Sequence, residues 1–268
     1  MDYRMMKILM DKPEIAGSLP SWMISRETLE KMKKETAPAM IEIAGRDSIA
    51  AAIEALSLEN ITAFFPTIVY SGTQFGDWDT PFEAIEVLKG HPRVKGNVRI
   101  YPPAVTGSPS FWWNLCGRHN YSLLDDFGFY TPCIGCHLYF HAMRIPLAIE
   151  LGCRTLIAGE RESHDGRIKL NQLGISLNAY IRLFEEFGMK FLMPLRNIGK
   201  GSDITQILGD EWKEGENQLK CVLSKNYVGK NEQVVYNENS IKRYFNEFAL
   251  PMTREWLKDK TGMEPARI

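Results

Sequence analysis

Short apolar runs alternate with stretches of helical period through most of the chain. Met40-Ile41-Glu42-Ile43 reads as a strand, and after the turn Ala44-Gly45-Arg46-Asp47-Ser48 the residues Ile49, Ala52, Ile53 and Leu56 fall on one face of a helix. The alternation then repeats. A second strand is expected over 61–70, a Gly/Asp-rich loop over 71–79, and a helix from 81 to about 88 that Gly90 and Pro92 close. Strand three covers 97–101, and a short helix 108–115. A helix over 138–151, kinked by Pro146 and ended by Gly152, leads to strand four at 154–158. A polar loop over 159–169, a long helix over 170–187 ended by Gly188, and strand five at 190–193 complete the pattern. Beyond it lie a short helix near 204–208, a Gly/Glu/Asn loop, the segment 219–223, and an amphipathic stretch over 241–257.

Five strands alternating with helices predict an α/β fold: a doubly wound, mainly parallel five-stranded sheet with helices on both faces. Residues 1–38 read as a helical N-terminal appendage, 39–230 as the α/β domain and 231–268 as a helical C-terminal appendage. No internal repeat or low-complexity tract interrupts this organisation.

Composition adds limits. With 268 residues and 44% apolar content, the chain can bury a sizeable core. No run of eighteen apolar residues and no apolar leader occurs, so a cytoplasmic protein without a membrane partner is expected. Lys and Arg number 32 against 33 Asp and Glu, so the whole-molecule field does not draw a polyanion. Local basic stretches at 31–34 and 93–99 remain, the first among glutamates and therefore read as a solvated helix face. A homodimer is kept as an option.

Two places carry candidate chemistry. The turn Ala44 to Ser48 sits between a strand and a helix, where parallel sheets bind ligands and a helix N-terminus offers free N–H groups to a phosphate. Gly45 permits close approach, Arg46 adds a cation, and Asp47 or Ser48 can cap the helix; an ordinary N-cap accounts for the same residues. The second place is Pro132-Cys133-Ile-Gly-Cys136-His137. Five cysteines, an odd number, argue for reduced thiols, and a pair two residues apart suits a metal, a redox dithiol or no ligand at all. The same string spells a haem-attachment pattern, which the missing export signal argues against. His137 and His141, four apart, could complete a Cys2His2 zinc site with Cys133 and Cys136.

Ile43-Ala44-Gly45-Arg46-Asp47-Ser48 resembles a reduced form of the Ser-Gly-Gly-x-Asp-Ser PP-loop of the adenine-nucleotide α-hydrolase-like superfamily. Gly45, Asp47 and Ser48 survive, whereas Ile43 and Ala44 replace the first serine and glycine. Cys133, Cys136 and the downstream Cys221 are similar in order and spacing to the ligands of the iron-sulfur-dependent tRNA thiolation branch. That resemblance, extending from Met40 to Tyr227, implies a 4Fe-4S cluster on Cys133, Cys136 and Cys221, with one iron open to carry sulfur. The segment Thr155-Leu-Ile-Ala-Gly159 and its loop resemble the family's segment near the nucleotide, with Glu160 in place of its histidine and His164 or Asp165 near its aspartate. Asn171 is similar to an asparagine of that region, a role an N-cap explains equally.

The expected function is ATP-dependent, 4Fe-4S-dependent sulfur transfer to a nucleotide, tRNA or small-molecule acceptor. Asp47, Arg46, His137, His141 and Arg144 are the catalytic candidates, and Ala44, Gly45, Ser48, Gly159, Arg161 and Asp165 the nucleotide-binding ones. His137, His141 and Arg144 share a helix face, which a solvated or hydrogen-bonded surface also explains. In the loop 159–167, Arg161, His164, Asp165 and Arg167 are further candidates beside a salt-bridged surface loop. Phe111 and its aromatic neighbours read as core, and Cys116 and Cys153 as buried apolar residues. The alternative is a nucleotide-binding protein with a degenerate phosphate loop and a structural zinc site, without sulfur chemistry.

Overall fold

The apolar run that opens at Pro38 becomes the middle of a parallel sheet in the computed structural model of the chain, which describes residues 3–209, 212 and 218–266. The strands are β1 (Pro38–Glu42), β2 (Ala63–Val69), β3 (Gln74–Phe75), β4 (Arg99–Ile100), β5 (Ala104–Thr106), β6 (Thr155–Ile157), β7 (Lys190–Leu192) and β8 (Lys220–Cys221). The main sheet runs β4-β2-β1-β6-β7, with β5 also on β2, and each of its pairings is parallel. Every residue of β2 is buried, and so are the last four of β1, which accounts for their near-continuous apolar sequence. The doubly wound, mainly parallel sheet read from the pattern is therefore present.

The helices are α1 (Tyr3–Asp11), α2 (Arg26–Met32), α3 (Arg46–Ala55), α4 (Thr80–Gly90), α5 (Pro109–Trp112), α6 (Asn120–Phe127), α7 (Pro132–Ala142) and α8 (Arg144–Glu150). They continue as α9 (Gly174–Glu186), α10 (Gly201–Leu208), α11 (Glu238–Arg243) and α12 (Leu250–Thr261). Among the described residues none is long and apolar enough to cross a membrane. Met5 and Ile8 of α1 and Leu257 of α12 join the same hydrophobic core as the sheet, and Trp256 stacks on Phe111 with ring centroids 4.2 Å apart.

Several boundaries differ from the sequence pattern for local reasons. The expected third strand is the short β4, and a further strand, β5, follows it on the same edge of β2 after Pro102 and Pro103, which cannot donate to the ladder. The helix expected over 138–151 begins at Pro132 and breaks at Met143, so that Cys133 and Cys136 lie inside α7. Pro146 sits in the first turn of α8, where its missing N–H costs little. Segment 219–223 supplies β8, antiparallel to β3. The Gly/Glu/Asn loop expected after Leu208 lies largely outside the described residues. The basic stretches meet carboxylates: Lys31 with Glu27 at 2.7 Å, Lys33 with Glu150 at 2.6 Å, Arg93 with Glu54 at 3.1 Å, and Arg99 with Glu35.

Candidate metal centre

Thr131 and Pro132 set the start of helix α7. The Thr131 hydroxyl accepts from the Cys133 N–H at 3.3 Å, and Pro132 takes the first helical position, whose N–H has no partner in any helix. Four residues of spacing then place His137 and His141 on one face, one turn apart. That face turns inward, over the carboxyl end of β6. There the chain passes through Ala158 and Gly159 to Glu160. A Cβ on Gly159 would come within 2.5 Å of the Asp47 carbonyl carbon and the Ser48 nitrogen, so only glycine lets this segment pass the start of α3.

Glu160 is the centre of the resulting cluster. Its Oε1 lies 3.0 Å from His137 Nδ1 and 2.9 Å from His141 Nε2, and its Oε2 accepts from the Gln172 amide. Asn171 Nδ2 lies 2.9 Å from His137 Nε2. The side chains of Glu160 and His141 are 3% and 1% exposed, whereas His137 is 31% exposed and forms the cluster's outer side. The His141 ring packs against Tyr180 and Phe191, with centroids 5.0 and 4.9 Å away. Burial opposes the charge on Glu160, yet His137 and His141 outweigh it and hold the carboxyl well below the usual carboxylate range.

These are the three donor atoms that converge among the described residues: His137 Nδ1, His141 Nε2 and one Glu160 oxygen lie within 4.8 Å of one another. Two imidazole nitrogens and a carboxylate oxygen suit a single zinc-type ion. Asn171 and Gln172 stand behind the donors, as outer hydrogen-bond partners do at metal sites. With a metal on Nδ1, His137 Nε2 carries the proton and Asn171 would present its carbonyl oxygen to it, the amide turned over.

The expected iron-sulfur centre is overturned by the same geometry. The thiols of Cys133, Cys136 and Cys221 line one cavity but form no convergent group, and each has partners of its own. Cys133 Sγ lies 3.4 Å from the Leu223 carbonyl and 3.3 Å from Asn226 Oδ1. Trp112 Nε1 donates to Cys136 Sγ at 3.3 Å, and Cys221 Sγ donates to Thr73 Oγ1 at 3.4 Å. Burial pushes the Cys136 thiol up to about 12 and raises that of Cys133, so both stay protonated near neutral pH. The donor set is His2Glu, which argues for a mononuclear metal instead of a 4Fe-4S cluster, and the sulfurtransferase reading falls with the cluster. The sequence-based zinc alternative named two of the three donors, His137 and His141, but paired them with cysteines where the structure supplies Glu160.

ATP binding likewise finds no support at the first glycine turn, whose polar groups are engaged within the protein. Ser48 Oγ accepts from Ala44 N at 3.0 Å and Gly45 N at 3.1 Å and donates to Gly45 O at 2.7 Å. Asp47 takes Arg46 Nε at 3.0 Å and Arg161 Nε at 2.9 Å. Asp165, left-handed at φ 53°, accepts from Gly201 N at 3.1 Å and holds the start of α10. Arg161 and His164 are buried beneath the loop, while Glu162, Ser163, Asp165 and Arg167 are exposed and Glu162 pairs with Arg196, as in the salt-bridged surface loop kept as the alternative. Arg144 is also buried, donating to Thr67 Oγ1 at 2.8 Å and pairing with Glu42 at 3.3 Å, so it ties the α7–α8 junction to the ends of β1 and β2. Cys116 and Cys153 are core residues, as their lack of spacing partners implied.

What the fold and site define together is an α/β protein with a parallel sheet and a His2Glu cluster above its carboxyl edge. No family model matches the chain. It is 36% identical over 222 residues to uncharacterized protein MJ0009 of Methanocaldococcus jannaschii, an alignment covering 82% of this chain and 80% of that protein. The chain belongs to the family of that archaeal protein.

Proposed function

We propose that this chain is a metalloprotein in which one zinc-type divalent ion, held by His137, His141 and Glu160, pins α7 to the carboxyl end of β6. The observation that carries this reading is the convergence of three metal-type donors at a buried point, with hydrogen-bonding side chains behind two of them. A structural role follows from the connections. The ion would link a helix to the strand end and the 3-10 turn Leu170–Gln172, closing one wall of the large cavity above the sheet. Nothing in this role needs sulfur transfer. The cavity is the place for a small-molecule ligand, since in parallel sheets ligands sit beyond the carboxyl ends of the strands.

Metal analysis of the purified chain tests the reading. One zinc per chain in the native sequence, reduced to a trace in Glu160→Gln and in His141→Ala, is the expected result. A native chain that takes up no zinc, or a Glu160→Gln variant that keeps a full equivalent, overturns it.

A further inference from the structure

The cavity over β1 and β2 has a volume of about 1010 Å³, ample for a small organic molecule. Among the described residues its charged lining is lopsided. Arg144, Arg167, Lys169, Lys220 and Lys225 face Glu42 and Glu232, and one of these two carboxylates, Glu42, is already paired with Arg144 at 3.3 Å. The chain as a whole carries a net charge of −1, so this cationic lining is local. Lys169 stands out within it. No described carboxylate forms an ion pair with its ammonium, although Asp47 and Glu160 act on it at longer range. Beside these charges lie Ile43, Ile68, Val69 and Phe140.

Lys169 and Arg167 are solvent-exposed members of this lining, and five cations against two carboxylates around one cavity attract an anion. Apolar walls next to these cations select for more than an inorganic ion. We propose that the cavity binds a small organic anion, a carboxylate or phosphate ester on an apolar body, with Lys169 and Arg167 holding the anionic group and Ile43, Ile68, Val69 and Phe140 contacting the rest. The inference goes beyond the metal reading and does not require it.

Calorimetric titration of the full chain with phenylphosphonate, and with benzyl alcohol as the uncharged control, tests the proposal. The expected outcome is saturable phenylphosphonate binding, no measurable benzyl alcohol binding, and an affinity weakened about tenfold in Lys169→Met, the effect of one charge-assisted contact. Arg167→Gln gives a second reading of the same contact. Absence of phenylphosphonate binding at millimolar concentration, or equal affinities in the native chain and both variants, overturns it. The zinc content of each sample separates the two claims. Full zinc without phenylphosphonate binding removes the anion site alone, whereas binding that persists in zinc-free Glu160→Gln leaves the anion site standing whatever becomes of the metal.

Discussion

Cys133 and Cys136 occupy the start of α7, and His137 and His141 follow within its next turns, yet the fold treats the two pairs differently. The histidines point under the helix to one carboxylate, with outer partners fixed by a 3-10 turn. The cysteines point to separate neighbours, an indole, a carbonyl and an amide oxygen, with no third sulfur drawn in to form a group. A spacing of two or four residues along a helix brings donors to one face, but only the element opposite decides whether they share a ligand. For the histidines that element is the β6 end, brought close by Gly159.

The strongest way to break this contrast is to remove the shared acceptor. Glu160→Ala leaves the buried His141 imidazole, the half-buried His137 and the Gln172 amide without their partner, and urea unfolding should show a loss of roughly 3–5 kcal/mol. A loss below about 1 kcal/mol would mean that the cluster is not a tightly packed unit. Next in size is Gly159→Ala, whose methyl meets the backbone of α3. It should destabilise by about 3 kcal/mol and lower zinc occupancy as Glu160 is displaced, and an unchanged melting curve would refute the close approach.

A third histidine sharpens the comparison through pH. Burial, with Lys169 and Arg161 beside it, lowers His164 from its ordinary value of 6.5 to about 4. The unfolded chain therefore takes a proton on this residue between pH 6.5 and pH 4 while the folded chain does not, so stability falls as pH falls through that window and levels off below it. The contribution is roughly 3 kcal/mol, and His164→Gln should flatten that part of the stability profile. A profile identical in the variant would show that His164 protonates without cost. The smallest effect is assigned to the cysteines. Cys133→Ser should change stability by no more than about 0.5 kcal/mol and leave zinc content intact, and loss of the metal in this variant would reverse the contrast.

The sheet was legible because β2 is buried end to end and β1 over its last four residues, so their apolar runs declare it, while glycines mark the helix ends. What misled was nearness taken for a shared ligand, because the three cysteines do line one cavity without their sulfurs converging. Cys221 follows the pair at a suggestive distance, but it lies on a short strand held by Thr73 and the partner strand β3. Gly45, Asp47 and Ser48 match a phosphate loop in type, yet Ser48 Oγ takes the Ala44 and Gly45 N–H groups and the distant Arg161 takes the Asp47 carboxylate, which residue types alone do not reveal. Glu160 was visible only as a departure from a family pattern. An acid directly after a strand and a glycine, followed ten residues later by Leu-Asn-Gln, was the available signal, and reading it required knowing that α7 folds back over β6.

The central claim is the identity of the donors, and zinc-edge X-ray absorption of the metal-loaded chain addresses it most directly. A His137, His141 and Glu160 site gives a first shell of nitrogen and oxygen alone at about 2.0–2.2 Å, with the scattering pattern of two imidazoles. A sulfur shell at about 2.3 Å would contradict it and return the site to the cysteines.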